Sequence, residues 1–183
     1  MHFLAMVFTD GGFTTDELLE PYCENVRVPR RISKEELIRI EQDNFTKYNE
    51  RVPKELHMGE GWTDEQLYEY ATRDVDIAYI NKDGSVFFDD NPNAKWDWYI
   101  EGGRWNKSIR LLDGSLVNRA NANNIDFDSR EMKEFPCYAI VTPIGEWIEN
   151  TTDLSSFWKE IVKQYMCTAR DKGWYVTIID CHI

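Results

Sequence analysis

The chain opens on an unbroken apolar run, His2-Phe-Leu-Ala-Met-Val-Phe-Thr9, closed by Asp10-Gly11-Gly12. A short run without alternation that ends in a turn predicts a strand covered on both faces, in the middle of a sheet. Thr14 or Thr15 then caps a short helix through Leu18 and Leu19, and Pro21 limits its regularity. Ser33-Lys-Glu-Glu36 and Thr63-Asp-Glu-Gln66 both read as capping boxes, in which the hydroxyl accepts from the fourth residue's amide and that residue's side chain returns the bond. Behind the first, Leu37, Ile40, Phe45 and Tyr48 share one helical face; behind the second come Leu67, Tyr70 and Ala71.

From Ile77 the texture changes to strands. Ile77–Ile80 and Val86–Phe88 flank Asn81-Lys-Asp-Gly84, while Ile109–Leu112 and Leu116–Val117 flank Asp113-Gly114, and both predict hairpins. Asn121–Asn124 reads as a polar loop, and Tyr138–Thr142 as an apolar strand between prolines. The stripe Leu154, Phe157, Trp158, Ile161, Val162, Tyr165 and Met166 predicts a helix. Asp153 at its start and Arg170 and Lys172 at its end suit the helix dipole, and Gly173 stops it. Trp174–Ile179 closes a strand–helix–strand unit that crosses over right-handed if its strands are parallel. The expectation is one α+β domain over residues 1–183, a mixed and largely antiparallel sheet with three to four helices packed on it.

Composition adds charge. Twenty-one basic against 33 acidic side chains leave −12, a field that repels nucleic acid and anionic membranes and favours a cationic protein partner. Strong binding of nucleic acid by the protein alone is therefore not expected. The four cysteines are scattered without a Cys-x-x-Cys pair and read as free thiols of a reducing cytoplasm. The opening apolar run is too short to span a bilayer, and no basic leader precedes it, so neither export nor membrane insertion is indicated.

Three segments carry candidate chemistry. Asn91–Trp105 packs Trp96, Asp97, Trp98, Tyr99, Glu101, Arg104 and Trp105 around Gly102-Gly103, whose positive φ would bend the chain and aim backbone amides and Arg104 at an anion. The same tryptophans also fit a core, with Arg104 neutralising Asp97 or Glu101. Glu20, Glu24 and Asn25 are proton carriers or oxygen ligands if the fold brings them beside Asp97, and otherwise a solvated face and a turn. In Asp180-Cys-His182 the two-residue period puts carboxylate and imidazole on one side of a strand, as a base or an edge pair. His2 and His57 complete a histidine inventory too thin for a multi-histidine zinc site. Basic residues gather at Arg27, Arg30, Arg31 and Lys34 and at Arg104, Lys107 and Arg110 beside Trp105, a mixture that suits single-stranded nucleic acid or a solvated surface.

Four stretches resemble a family of small bacterial and phage proteins: Leu19–Asn25, the Lys-Trp-Asp-Trp-Tyr and Gly-Gly-Arg-Trp of Asn91–Trp105, Tyr138–Pro143 and the closing Ile179-Asp-Cys-His-Ile183. Cys23 departs from that pattern, where an acid is expected. The resemblance includes anti-CRISPR proteins directed at Cas9, and implies a mobile-element inhibitor in the cytoplasm of a bacterial host. Such a protein would bind Cas9 or its guide-RNA complex, either in the cationic channel that holds the heteroduplex or by affecting the guide RNA. Binding would fall to Trp98, Arg104, Trp105 and Asn25, and any RNA cleavage to Glu24, Asp97, Arg104 and His182, with no metal site and no cofactor assigned. The competing readings are a stand-alone metal-assisted hydrolase or nuclease, drawing on Mg²⁺ or Mn²⁺, and a module for a phosphorylated ligand at Gly102-Gly103.

Overall fold

The computed structural model describes residues 1–73, 78–83, 85–151 and 155–183. The expected roles of Ile77, Gly84, Asp153 and Leu154 lie outside the described residues. The fold is α+β with a mostly antiparallel main sheet, and the chain packs as two compact units, Arg27–Pro92 and the remainder.

The larger unit, Met1–Val26 with Asn93–Ile183, is built on a six-stranded sheet. Its strands are β1 (His2–Thr9), β5 (Trp98–Glu101), β8 (Arg119–Asn121), β9 (Cys137–Val141), β10 (Trp147–Glu149) and β11 (Tyr175–His182). The order is β10-β9-β1-β11-β5, with β8 also pairing β11; β1 runs parallel to β9 and antiparallel to β11. The opening run therefore lies mid-sheet, as its pattern predicts. The C-terminal strands do not form a parallel crossover, because β1 separates β9 from β11 and the two run in opposite directions.

Both faces of this sheet are covered. Leu4, Met6, Phe8, Ile140, Val176 and Ile178 enter one core, with Trp158, Met166 and Ala169 of α5 (Ser155–Lys172). Ala5, Val7, Ile179 and Cys181, the alternate positions, enter the other with Leu18, Leu19 and Trp96. Complete burial of a side chain such as Ile178 is worth about 1.5–3 kcal/mol. Phe157 departs from the expected stripe: at 60% exposure it turns outward while Trp158 faces the sheet. The helix stops at Gly173 (φ +66°), where the amides of Gly173 and Trp174 donate back to Arg170 and Ala169. Thr14 caps α1 (Thr15–Leu19): its hydroxyl accepts from the Glu17 amide, and its own amide donates to the Glu17 carboxylate. Asn121–Asn124 is no simple loop: Asn121 ends β8, and Ala122, fully buried, begins a 3-10 turn. The Asp113-Gly114 hairpin forms as β6 (Ile109–Arg110) and β7 (Leu116–Val117), and α4 (Arg130–Lys133) is a single turn.

In the second unit, β2 (Pro29–Ile32), β4 (Val86–Asp89) and β3 (Ala78–Ile80) form an antiparallel sheet in that order. Helices α2 (Lys34–Asn49) and α3 (Asp64–Arg73) bury Leu37, Ile38, Phe45, Leu67 and Ala71. Thr63 and Gln66 complete their reciprocal cap. At Ser33 only half the box forms, because the Glu36 carboxylate turns to Arg30 at 2.8 Å. Ile38 replaces Ile40 on the buried face, and Tyr48 is exposed.

Candidate active site

At one end of the main sheet the pairing of β1, β11 and β5 brings four side chains together that are scattered along the sequence. In the register, His2 lies opposite His182, His182 opposite Trp98, and Leu4 opposite Asp180. Residues 2, 98, 180 and 182 thus project from one face, continuing the row of Leu4, Met6, Val176 and Ile178 beyond the apolar core.

Two histidine–carboxylate pairs result. Nδ1 of His2 lies 2.8 Å from Oδ1 of Asp180, and Nδ1 of His182 lies 2.9 and 3.0 Å from the two carboxylate oxygens of Asp97. A carboxylate facing Nδ1 fixes the proton there and leaves Nε2 as the working nitrogen. The imidazole centroids are 4.8 Å apart, edge to face. Trp98 stacks on His182 at 5.1 Å and 14°, and meets His2 edge-on at 5.3 Å. The backbone nitrogen of Met1 lies 3.4 Å from Nε2 of His182 and donates to the carbonyl of Ile183.

Each carboxylate has its own support. Asp180 is 2% exposed, and its second oxygen accepts from the Arg104 amide at 2.9 Å. The glycine turn makes that bond: Gly102 (φ +75°) and Gly103 (φ +46°) bend the chain over β11. A Cβ on Gly103 would lie 2.3 Å from the Cβ of Asp180. The Arg104 amide of this turn is thus taken up by the protein's own Asp180 side chain. For Asp97, burial acts to raise the pKa, but the His182 hydrogen bond and the Trp98 amide outweigh it and hold the carboxyl below its ordinary value. Asn25 steadies the same residue, its Nδ2 donating to the Asp97 carbonyl at 3.1 Å.

Of the residues singled out by sequence, Asn25, Asp97, Trp98, Asp180 and His182 converge. Arg104 contributes its amide; its side chain is exposed and, among the described residues, makes no ion pair with Asp97 or Glu101. Glu24 is exposed, and its link to the site is the bond from its amide to the Trp96 carbonyl. Trp96 is core, whereas Trp98 is 45% exposed. Trp105 is half-buried and lines a 260 Å³ depression with Lys107, Ser108, Leu116, Phe135 and Pro136. Asp180 and His182 share a face but are not partners of each other, and β11 is an interior strand rather than an edge.

The sequence did not single out His2 as a catalytic residue. The available signal was its place as first residue of an apolar strand, facing a chain end that carries Asp and His. The Arg27–Lys34 cluster proves largely self-neutralised: Arg27 meets Asp89, Arg30 meets Glu36 and Asp90, and Lys34 meets Glu65.

Among the described residues no group of three or more His, Cys, Asp or Glu is arranged to hold a metal ion, and no helix is long and apolar enough to cross a membrane. Comparison with known proteins gives no matching family model, no matching curated protein and no matching solved structure.

Proposed function

We propose that the chain is an acid–base catalyst of phosphodiester cleavage in single-stranded RNA, with His2 and His182 as the proton-transfer groups. The observation that carries this reading is the pair of imidazoles 4.8 Å apart, each oriented by its own carboxylate. One neutral imidazole takes the proton of a ribose 2′-hydroxyl as its oxygen bonds to phosphorus. The other, protonated, gives its proton to the departing 5′-oxygen as the P–O bond breaks. The products are a 2′,3′-cyclic phosphate and a free 5′-hydroxyl, so atoms and charge balance without an added reactant.

General acid and base catalysis each contribute on the order of 10²–10⁴-fold. Asp97 and Asp180 are positioning residues. The exposed part of Trp98 offers a platform for a base, and the exposed side chain of Arg104, whose amide is bonded to Asp180, is proposed as a cation for the phosphate. A single strand suits this surface because its bases are free to stack. The guide RNA of a Cas9 complex is one such strand, as the family resemblance implies, and the −12 charge favours approach to a cationic protein that carries RNA.

The test is incubation of the purified chain with an unstructured RNA oligonucleotide, and with an assembled Cas9–guide complex, in EDTA. Fragments ending in cyclic phosphate and 5′-hydroxyl support the reading. Intact RNA in both reactions, or cleavage that requires a divalent ion and leaves 5′-phosphate, overturns it.

A further inference from the structure

We infer that the groove along α5 is a binding site for a fatty acid, with the acyl chain lying on the helix and the carboxylate held by Arg170. The groove encloses 610 Å³, within the range of small-ligand pockets, and has an apolar floor of Phe127, Met132, Trp158, Val162 and Met166. Its lining on α5 runs from Ser156 to Arg170, about 21 Å at 1.5 Å per residue, so the slot is elongated rather than round. An extended acyl chain matches that shape, and the unbranched methionines adapt to it.

Charge selects the headgroup. In a protein of net charge −12, this rim carries four cations against two carboxylates. Lys133 pairs with Asp128 at 3.5 Å and Lys163 with Glu160 at 3.9 Å, which leaves Lys159 and Arg170 without a carboxylate among the described residues. The Arg170 guanidinium sits 5.7 Å over the Phe127 ring, a planar fork fixed where the apolar floor ends. Such a fork matches a carboxylate in two parallel hydrogen bonds. Neither the floor nor Arg170 takes part in the histidine site, so the inference stands independently of the proposed cleavage.

Laurate is the probe, titrated calorimetrically and by intrinsic tryptophan fluorescence, with Trp158 lying in the floor. Saturable one-to-one binding below the micelle concentration is expected, about tenfold or more weaker in Arg170→Glu and for dodecyltrimethylammonium in place of laurate. Val162→Trp, which fills the slot and leaves its charges intact, abolishes binding without unfolding the protein. Absence of saturation, equal affinity for the cationic amphiphile, or unchanged affinity in either variant overturns the inference. So does an acidic amphipathic peptide that binds while laurate fails to displace it.

Discussion

His2 and His182 are register partners on antiparallel strands, with ring centroids 4.8 Å apart and a separate aspartate on each Nδ1. Two strands from opposite ends of the sequence thus assemble one site, and the consequences are measurable.

The Asp97–His182 tether responds to acid. Because the Asp97 carboxyl is held below its ordinary value in the folded protein, its stabilising share is complete above the ordinary carboxylate range and is lost as pH falls through the folded value. Thermal midpoints measured from about pH 5 down to about pH 2 should fall more steeply for the native chain than for Asp97→Asn. Parallel curves would show that the pair adds nothing to stability.

Gly103 couples the turn to the site. Alanine there places a methyl 2.3 Å from the Asp180 Cβ at φ +46°, so the turn or β11 must shift. Gly114→Ala is the control, since φ is also positive but the nearest atom is 3.9 Å away. Denaturant unfolding should show a loss of about 1–2 kcal/mol at Gly114 from backbone strain alone, and a clearly larger loss at Gly103, accompanied by loss of RNA cleavage.

As the proposed platform for a base, Trp98 is expected to affect substrate binding more than folding. Its 45% exposure allows Trp98→Ala to remain folded, while the stacking it offers is worth about 1–3 kcal/mol per base. KM for RNA should rise about 5- to 150-fold, with partial rescue by Trp98→Phe, and the thermal midpoint should change little.

The cysteines divide in two. Burial pushes the thiols of Cys137 and Cys181 up to about 12, whereas Cys23 and Cys167 are half-buried. Iodoacetamide at about pH 8 should therefore modify Cys23 and Cys167 and spare the other two until the protein is unfolded, as mass spectrometry would reveal.

Local chemistry made much of this fold legible. The unbroken run His2–Thr9 predicts its central place, Thr14 and Thr63 mark helix starts with hydroxyls that do accept the expected amides, and the positive φ of Gly102 and Gly103 follows from their pairing. The period of two also put Asp180 and His182 on one side of a strand. What it could not supply is the neighbour of that strand. The partners are residues 178 and 85 positions away, His2 for Asp180 and Asp97 for His182, joined by a register that only long-range packing determines. In the basic cluster of Arg27–Lys34, Arg30 meets Glu36 six residues on and Asp90 sixty residues on, and the second partner is again a contact that only the folded unit supplies.

Whether two imidazoles share one reaction is measured most directly by single-turnover cleavage of labelled single-stranded RNA in EDTA by the native chain, His2→Asn and His182→Asn. The native chain should cut to 2′,3′-cyclic phosphate and 5′-hydroxyl ends without added metal, and each variant should be slower by about 10²–10⁴-fold while remaining folded. A folded variant that retains the native rate would contradict a shared role for the two histidines.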